Sequence, residues 1–104
     1  MANPARGEVA FKVDDTEYTL KFSTNAICEL EDRLDKGLNT IVGNMERVTT
    51  VRALLWAGLR AHHPEVTIGS TGEIIDRAGI ATITEAIGKA LAAAFPKVEP
   101  GPNV

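Results

Sequence analysis

The residues able to do chemistry are few, and they stand apart in the chain. His62 and His63 are the only histidines and Cys28 is the only cysteine. Adjacent histidines on a helix point about 100° apart. A zinc site needs three or four converging ligands, and no further His or Cys offers a matching spacing. The pair reads as a polar helix end, with a histidine against the last free carbonyls. A nucleophilic thiol needs a base or a cationic setting. No such motif surrounds Cys28, which lies beside Ile27 and reads as a small buried filler. Asp14-Asp15 would suit a metal or an acid–base pair, but turn chemistry explains both residues. Gly69-Ser70-Thr71-Gly72 hints at a phosphate loop at a helix start, yet it lacks the lysine and the longer spacing of a Walker loop. Helix capping is the reading there. No catalytic, metal or cofactor residue emerges, so the chain is expected to be a non-enzymatic interaction protein.

One group points towards binding. On a helix at 100° per residue, Trp56 lies well off the stripe of Val51, Leu54, Leu55 and Leu59 and nearer in angle to Arg52 and Arg60. Two readings are open. Either Trp56 packs under a neighbouring element with its N–H bonded, or it is a partly exposed aromatic flanked by arginines, the composition that interface hot spots favour. Arg52, Trp56 and Arg60 are therefore the candidate partner-binding residues.

These residues need elements to position them. From Glu8 to Phe22 the chain alternates with a period of two, in two runs around Asp14-Asp15, which reads as a β-hairpin. A two-residue turn sets Phe11 opposite Tyr18 and Val9 opposite Leu20 on an apolar face. It sets Lys12 opposite Glu17 and Glu8 opposite Lys21 on the polar face, where opposite charges support the pairing. Such a turn asks for left-handed backbone at both aspartates; a four-residue loop keeps the same faces. The apolar face must be covered, because a lone hairpin is marginal in water.

Helices follow. Ser23 is the expected N-cap of a helix running to about Lys36, with Ile27, Leu30 and Leu34 inward and Gly37 in the left-handed position at its end. A short helical turn is expected around Thr40 to Met45. Thr49 or Thr50 caps a helix from Val51 to about His62, with Pro64 just beyond it. A further helix covers about Ile68 to Ala78, capped by Thr67 or Ser70, with Ile74 and Ile75 inward and Gly79 ending it. Thr82 with Glu85 makes a capping-box pattern for the last helix, whose inward face is Ile83, Ile87, Leu91 and Ala94. Gly88 is expected to mark a close helix contact. The fold class is α+β: an N-terminal β-hairpin followed by about four α-helices packed as a small bundle. One domain is expected over 1–95. Residues 96–104, with three prolines and a glycine, read as a flexible tail.

Composition narrows the function classes. A length of 104 residues argues for one domain, and 44% hydrophobic residues are too many for a disordered chain. With 5% aromatics the core must be mostly Leu, Ile, Val and Ala. A net charge of −3 and scattered Lys and Arg argue against nucleic acid as partner. Met1 to Arg6 lacks the apolar core of a signal peptide, and no stretch nears the roughly 20 apolar residues of a membrane span. The expectation is a cytoplasmic, soluble protein.

Several segments together resemble a known family. They are Asn3-Pro4-x-Arg6-Gly7-Glu8-Val9, Tyr18-Thr19-Leu20, Asn25-Ala26-x-x-x-Leu30-Glu31, Arg52-Ala53-Leu54-Leu55-Trp56-Ala57-Gly58-Leu59 and Ala92-x-x-Phe95-Pro96. In that order and spacing they look like a family of small phage-tail proteins of gene transfer agents, and the Leu-Leu-Trp-Ala-Gly-Leu core is the most specific piece. The sequence departs from the pattern at Asp15, where Gly is common, and at Gly69 and Gly72, where better helix formers are expected. The resemblance implies a tail assembly chaperone, a protein that coats the helical tape-measure protein and brings tail-tube subunits to it. It equally implies the other label of the family, a structural tail-tube component. A tube subunit should carry more β-structure than one hairpin, which ranks the chaperone first. The implied partners are the tape-measure and tail-tube proteins; self-association and a longer frameshifted product stay open.

Overall fold

The computed structural model describes residues 3–95. The expected tail at 96–104 lies outside the described residues. A 3-10 turn at Pro4–Arg6 leads into β1 (Glu8–Val13) and β2 (Thr16–Lys21), which pair antiparallel. The register is the expected one: Phe11 faces Tyr18, Val9 faces Leu20, Lys12 faces Glu17 and Glu8 faces Lys21. Val13 pairs with Thr16, so Asp14-Asp15 is a two-residue turn, but only Asp14 takes the left-handed conformation, at φ 55°. The cross-strand ion pairs do not close, since Glu8 turns to other partners described below.

Five helices follow, four of them long: α1 (Thr24–Leu34), α2 (Leu38–Val42), α3 (Val48–Leu59), α4 (Ile68–Ala78) and α5 (Ile80–Ala94). Ser23 caps α1, its hydroxyl accepting from the Ala26 N–H at 3.1 Å. The helix stops two residues early. Asp35, not Gly37, is the left-handed residue at φ 54°, a conformation Asp tolerates. Gly37 is the extended residue that starts α2, and the Leu38 N–H donates to the Glu31 carboxylate at 2.8 Å. α3 begins at Val48 without a side-chain cap, so Thr49 and Thr50 lie inside it. Thr67 caps α4, accepting from the Ser70 N–H at 3.1 Å, and this accounts for the Gly69–Gly72 run.

The capping box expected at Thr82 does not form. Gly79, at φ 94°, turns the chain from α4 straight into α5, and Thr82 is an exposed residue of the first turn. Gly88 meets nothing within 4 Å of where a Cβ would stand. The close-packed glycine is Gly58: a Cβ there would lie 2.9 Å from Leu20 Cδ2 and 3.0 Å from Phe22 Cζ.

α3 is the central helix. Val51, Ala53, Leu54, Leu55, Ala57, Gly58 and Leu59 are all buried, because α1, α4, α5 and β2 pack around it. The hairpin lays Phe11, Val13 and Leu20 on α3 and α5, and Phe22 follows them inside. Ile83, Ile87 and Leu91 of α5 complete the core from below.

Candidate partner-binding site

Trp56 lies on the outer side of α3, half-buried against α1. The Arg33 guanidinium carbon stands 5.0 Å from its ring centroid and that of Arg60 stands 5.1 Å away. Both are within cation–π range, each contact contributing about 0.5–1 kcal/mol where solvent reaches it. Two pairs spaced by four residues, Glu29 with Arg33 on α1 and Trp56 of α3 with Arg60 at its C-cap, face each other across the helix contact. Arg60 is fixed from two sides: its Nε lies 3.3 Å from the Glu29 carboxylate, and its Nη1 donates to the Pro64 carbonyl at 3.0 Å. The half-buried aromatic ring thus has two guanidinium groups over it.

Arg52 is not part of this arrangement. It reaches the other way, over α4, where its Cδ lies 3.9 Å from where a Gly72 Cβ would stand. There it borders a groove of about 370 Å³ lined by Val48, Gly69, Gly72, Ile75 and Asp76. Val48 is 61% exposed on its rim, and the two glycines lower its floor. Of the three expected residues, Trp56 and Arg60 come together and Arg52 opens a second surface. The residue sequence reasoning missed is Arg33. Its spacing from Glu29 marked a shared face on α1, but only the packing of α1 on α3 brings that face to Trp56.

A second polar cluster lies at the open end of the hairpin. The helix-end role expected of the histidine side chains is not what they do. His62 Nε2 stands 3.2 Å from one Glu8 carboxylate oxygen, and the Asn3 N–H donates to the other at 2.9 Å. The Asn3 bond, with help from His62, holds the Glu8 carboxyl below its ordinary range although burial pulls the other way. His63 Nε2 accepts from the Thr19 N–H at 3.0 Å, and its ring tilts against Tyr18 at 5.2 Å between centroids. An accepting Nε2 assigns the proton to Nδ1 and requires a neutral ring. Burial pushes the His63 pKa down, and His62 adds to it while Glu65 opposes. Cys28, expected inside, is exposed: one residue past Ile27, it turns away from the face that Ala26, Ile27 and Leu30 bury.

Among the described residues no three His, Cys, Asp or Glu side chains are grouped to hold a metal ion. Nor is any helix long and apolar enough to cross a membrane. Comparisons with curated proteins and with solved structures return no match. A family model does match, over residues 6–97, and it is described as "Phage tail tube protein, GTA-gp10". It spans the hairpin, all five helices and the Leu54–Leu59 segment that carries Trp56. The chain belongs to the GTA-gp10 phage tail tube protein family.

Proposed function

We propose that the protein acts without catalysis in phage-type tail assembly, as a chaperone that binds the tape-measure protein and helps recruit tail-tube subunits. The observation that carries this reading is the ring of Trp56 with the guanidinium groups of Arg33 and Arg60 over it. A half-buried aromatic with flanking guanidinium groups is the composition of a binding anchor. A tape-measure protein offers long amphipathic helices before assembly. Helices of that kind dock in apolar grooves between other helices, and the Val48–Gly72 groove supplies a second surface of that type. The deciding experiment is co-purification of the chain with the tape-measure protein encoded alongside it. Association lost on Trp56→Ala is the expected result; no association while both are soluble sinks the chaperone reading.

The family description favours a second reading, a structural component of the tail. It predicts the protein in purified particles at a ring-multiple copy number. Against it stands the β content: two strands of six residues offer little for a tube wall built of sheet. Quantitative mass spectrometry of particles separates the two readings.

A further inference from the structure

The sheet has two strands, so each strand has one edge that turns away from its partner. On β2 the Thr19 N–H points outward, to His63, and the period of two puts the amides of Glu17 and Lys21 on the same side. The Glu8 N–H, which faces Lys21 across the hairpin and donates to the Asn3 carbonyl instead, confirms this phase. Among the described residues the Glu17 and Lys21 amides have no partner outside the sheet. An open edge of this kind is a template for another strand.

The stretch that follows α3 is strapped across this edge. The His63 N–H donates to the Leu59 carbonyl at 2.7 Å, and its carbonyl accepts from Val66 at 3.1 Å, so the residue is anchored on both sides. Its ring then occupies the middle of the β2 edge, while His62 reaches over to Glu8 on β1.

The side chains along β2 specify what would pair there. Set antiparallel to a second β2 about a two-fold axis through Thr19, Glu17 falls opposite the other copy's Lys21, and Lys21 opposite its Glu17. Thr19 falls opposite Thr19. Opposite charges and paired threonines are the favourable cross-strand combinations. Sliding the pairing by two residues loses both ion pairs within the strand, leaving at most the turn residue Asp15 opposite Lys21, and sliding it further sets like charges together. These residues lie on the face away from Leu20, so the core is undisturbed. A two-fold contact of this kind is self-complementary and closed.

We propose that the β2 edge is a latent interface for a second copy of this chain, paired antiparallel about Thr19, and that the His62–His63 strap is the guard that keeps it closed. The inference does not depend on the chaperone reading. Sedimentation of the full chain tests it. His63→Ala should dimerise at least tenfold more tightly than the unaltered protein, whereas His63→Gln, which keeps an acceptor, should stay close to it. In the His63→Ala background, Glu17→Lys or Lys21→Glu alone should weaken the dimer about tenfold, and the two together should restore it. A folded His63→Ala that associates no more than the unaltered chain overturns the proposal, as does a dimer indifferent to both charge reversals. Should His63→Ala not fold, Thr19→Cys combined with Cys28→Ser is treated with a short bismaleimide while His63 is intact, over hours, so that transient openings of the strap are trapped irreversibly. The expected result is a covalent dimer that Glu17→Lys suppresses and Glu17→Lys with Lys21→Glu recovers. A yield no higher than from Asn39→Cys in the same background also overturns it.

Discussion

Individual side chains divide here between packing and recognition. Trp56 is half-buried and its loss removes two solvent-reached cation–π contacts, so Trp56→Ala should cost about 1–2 kcal/mol, a fall in melting temperature of about 4–16 °C in a chain of this size. Partner affinity should fall at least tenfold, as hot-spot truncations do. Binding and melting measured on the same variant distinguish an anchor from a core residue; a large thermal loss with affinity unchanged makes it core. Arg33→Ala should follow Trp56→Ala, whereas Arg52→Ala should leave this surface intact because Arg52 lies over α4. Gly58→Ala forces Leu20 or Phe22 aside and should cost about 1–3 kcal/mol in denaturant titration, the range for overpacked cores. Legibility at this scale followed chemistry. Trp56 stood out because a large aromatic left the inward stripe, and Ser23 and Thr67 because hydroxyls before apolar periodicity cap helices. Cys28 was misplaced because its neighbour Ile27 is inward, whereas the 100° step from Ile27 turns it off the buried face; Gly88, with no side chain, carries no signal of how closely its helix is approached.

Elements were legible where the period was strong and blurred where two caps competed. The hairpin register followed from alternation and charge alone, as each one-residue slip would turn Phe11, Val13 and Leu20 to solvent. The start of α3 did not, because Arg47 enters the helix with no side-chain cap, and two threonines inside it looked like caps. The Thr82–Glu85 box was outweighed by Gly79, whose positive φ joins α4 to α5 without a loop. The cap of α4 yields a direct test. Thr67→Ala removes the acceptor for the Ser70 N–H and should destabilise the protein by about 0.5–2 kcal/mol, read as a lower urea midpoint with unchanged slope. Thr67→Asn should stay close to the unaltered protein, since Asn is also a good cap.

For the whole molecule, the pH dependence of stability follows from two groups whose pKa values both fall on folding. His63 is held neutral below its ordinary value of 6.5, so the unfolded chain binds the extra proton first. Its contribution is complete above pH 6.5 and is lost as the pH falls from there towards the lowered value. Glu8, lowered from 4.5, contributes above pH 4.5 and loses that contribution below it. Thermal melts should therefore be level near neutrality and decline in two stages on acidification. His63→Gln should remove the upper stage and Glu8→Gln the lower; a single stage unaffected by either variant would refute the assignment. None of this was legible in the sequence, where His62 and His63 looked like a helix end. Their partners, Glu8 and Thr19, are more than 40 residues away, and only the fold brings them together.

Gly7 and Ala94 lie side by side: a Cβ on Gly7 would stand 3.7 Å from Ala94 Cα, in van der Waals contact. The first strand and the last helix therefore complete each other. On a ribosome adding about 5–20 residues per second, the roughly 90 residues between them take some 4–17 s to appear. For most of that interval the hairpin has already been made, but the α5 surface that covers Phe11 and Val13 has not. The nascent chain must carry the apolar face of its hairpin uncovered until α5 leaves the exit tunnel. A circular permutant that joins the two ends and opens the chain between α2 and α3 would shorten that wait.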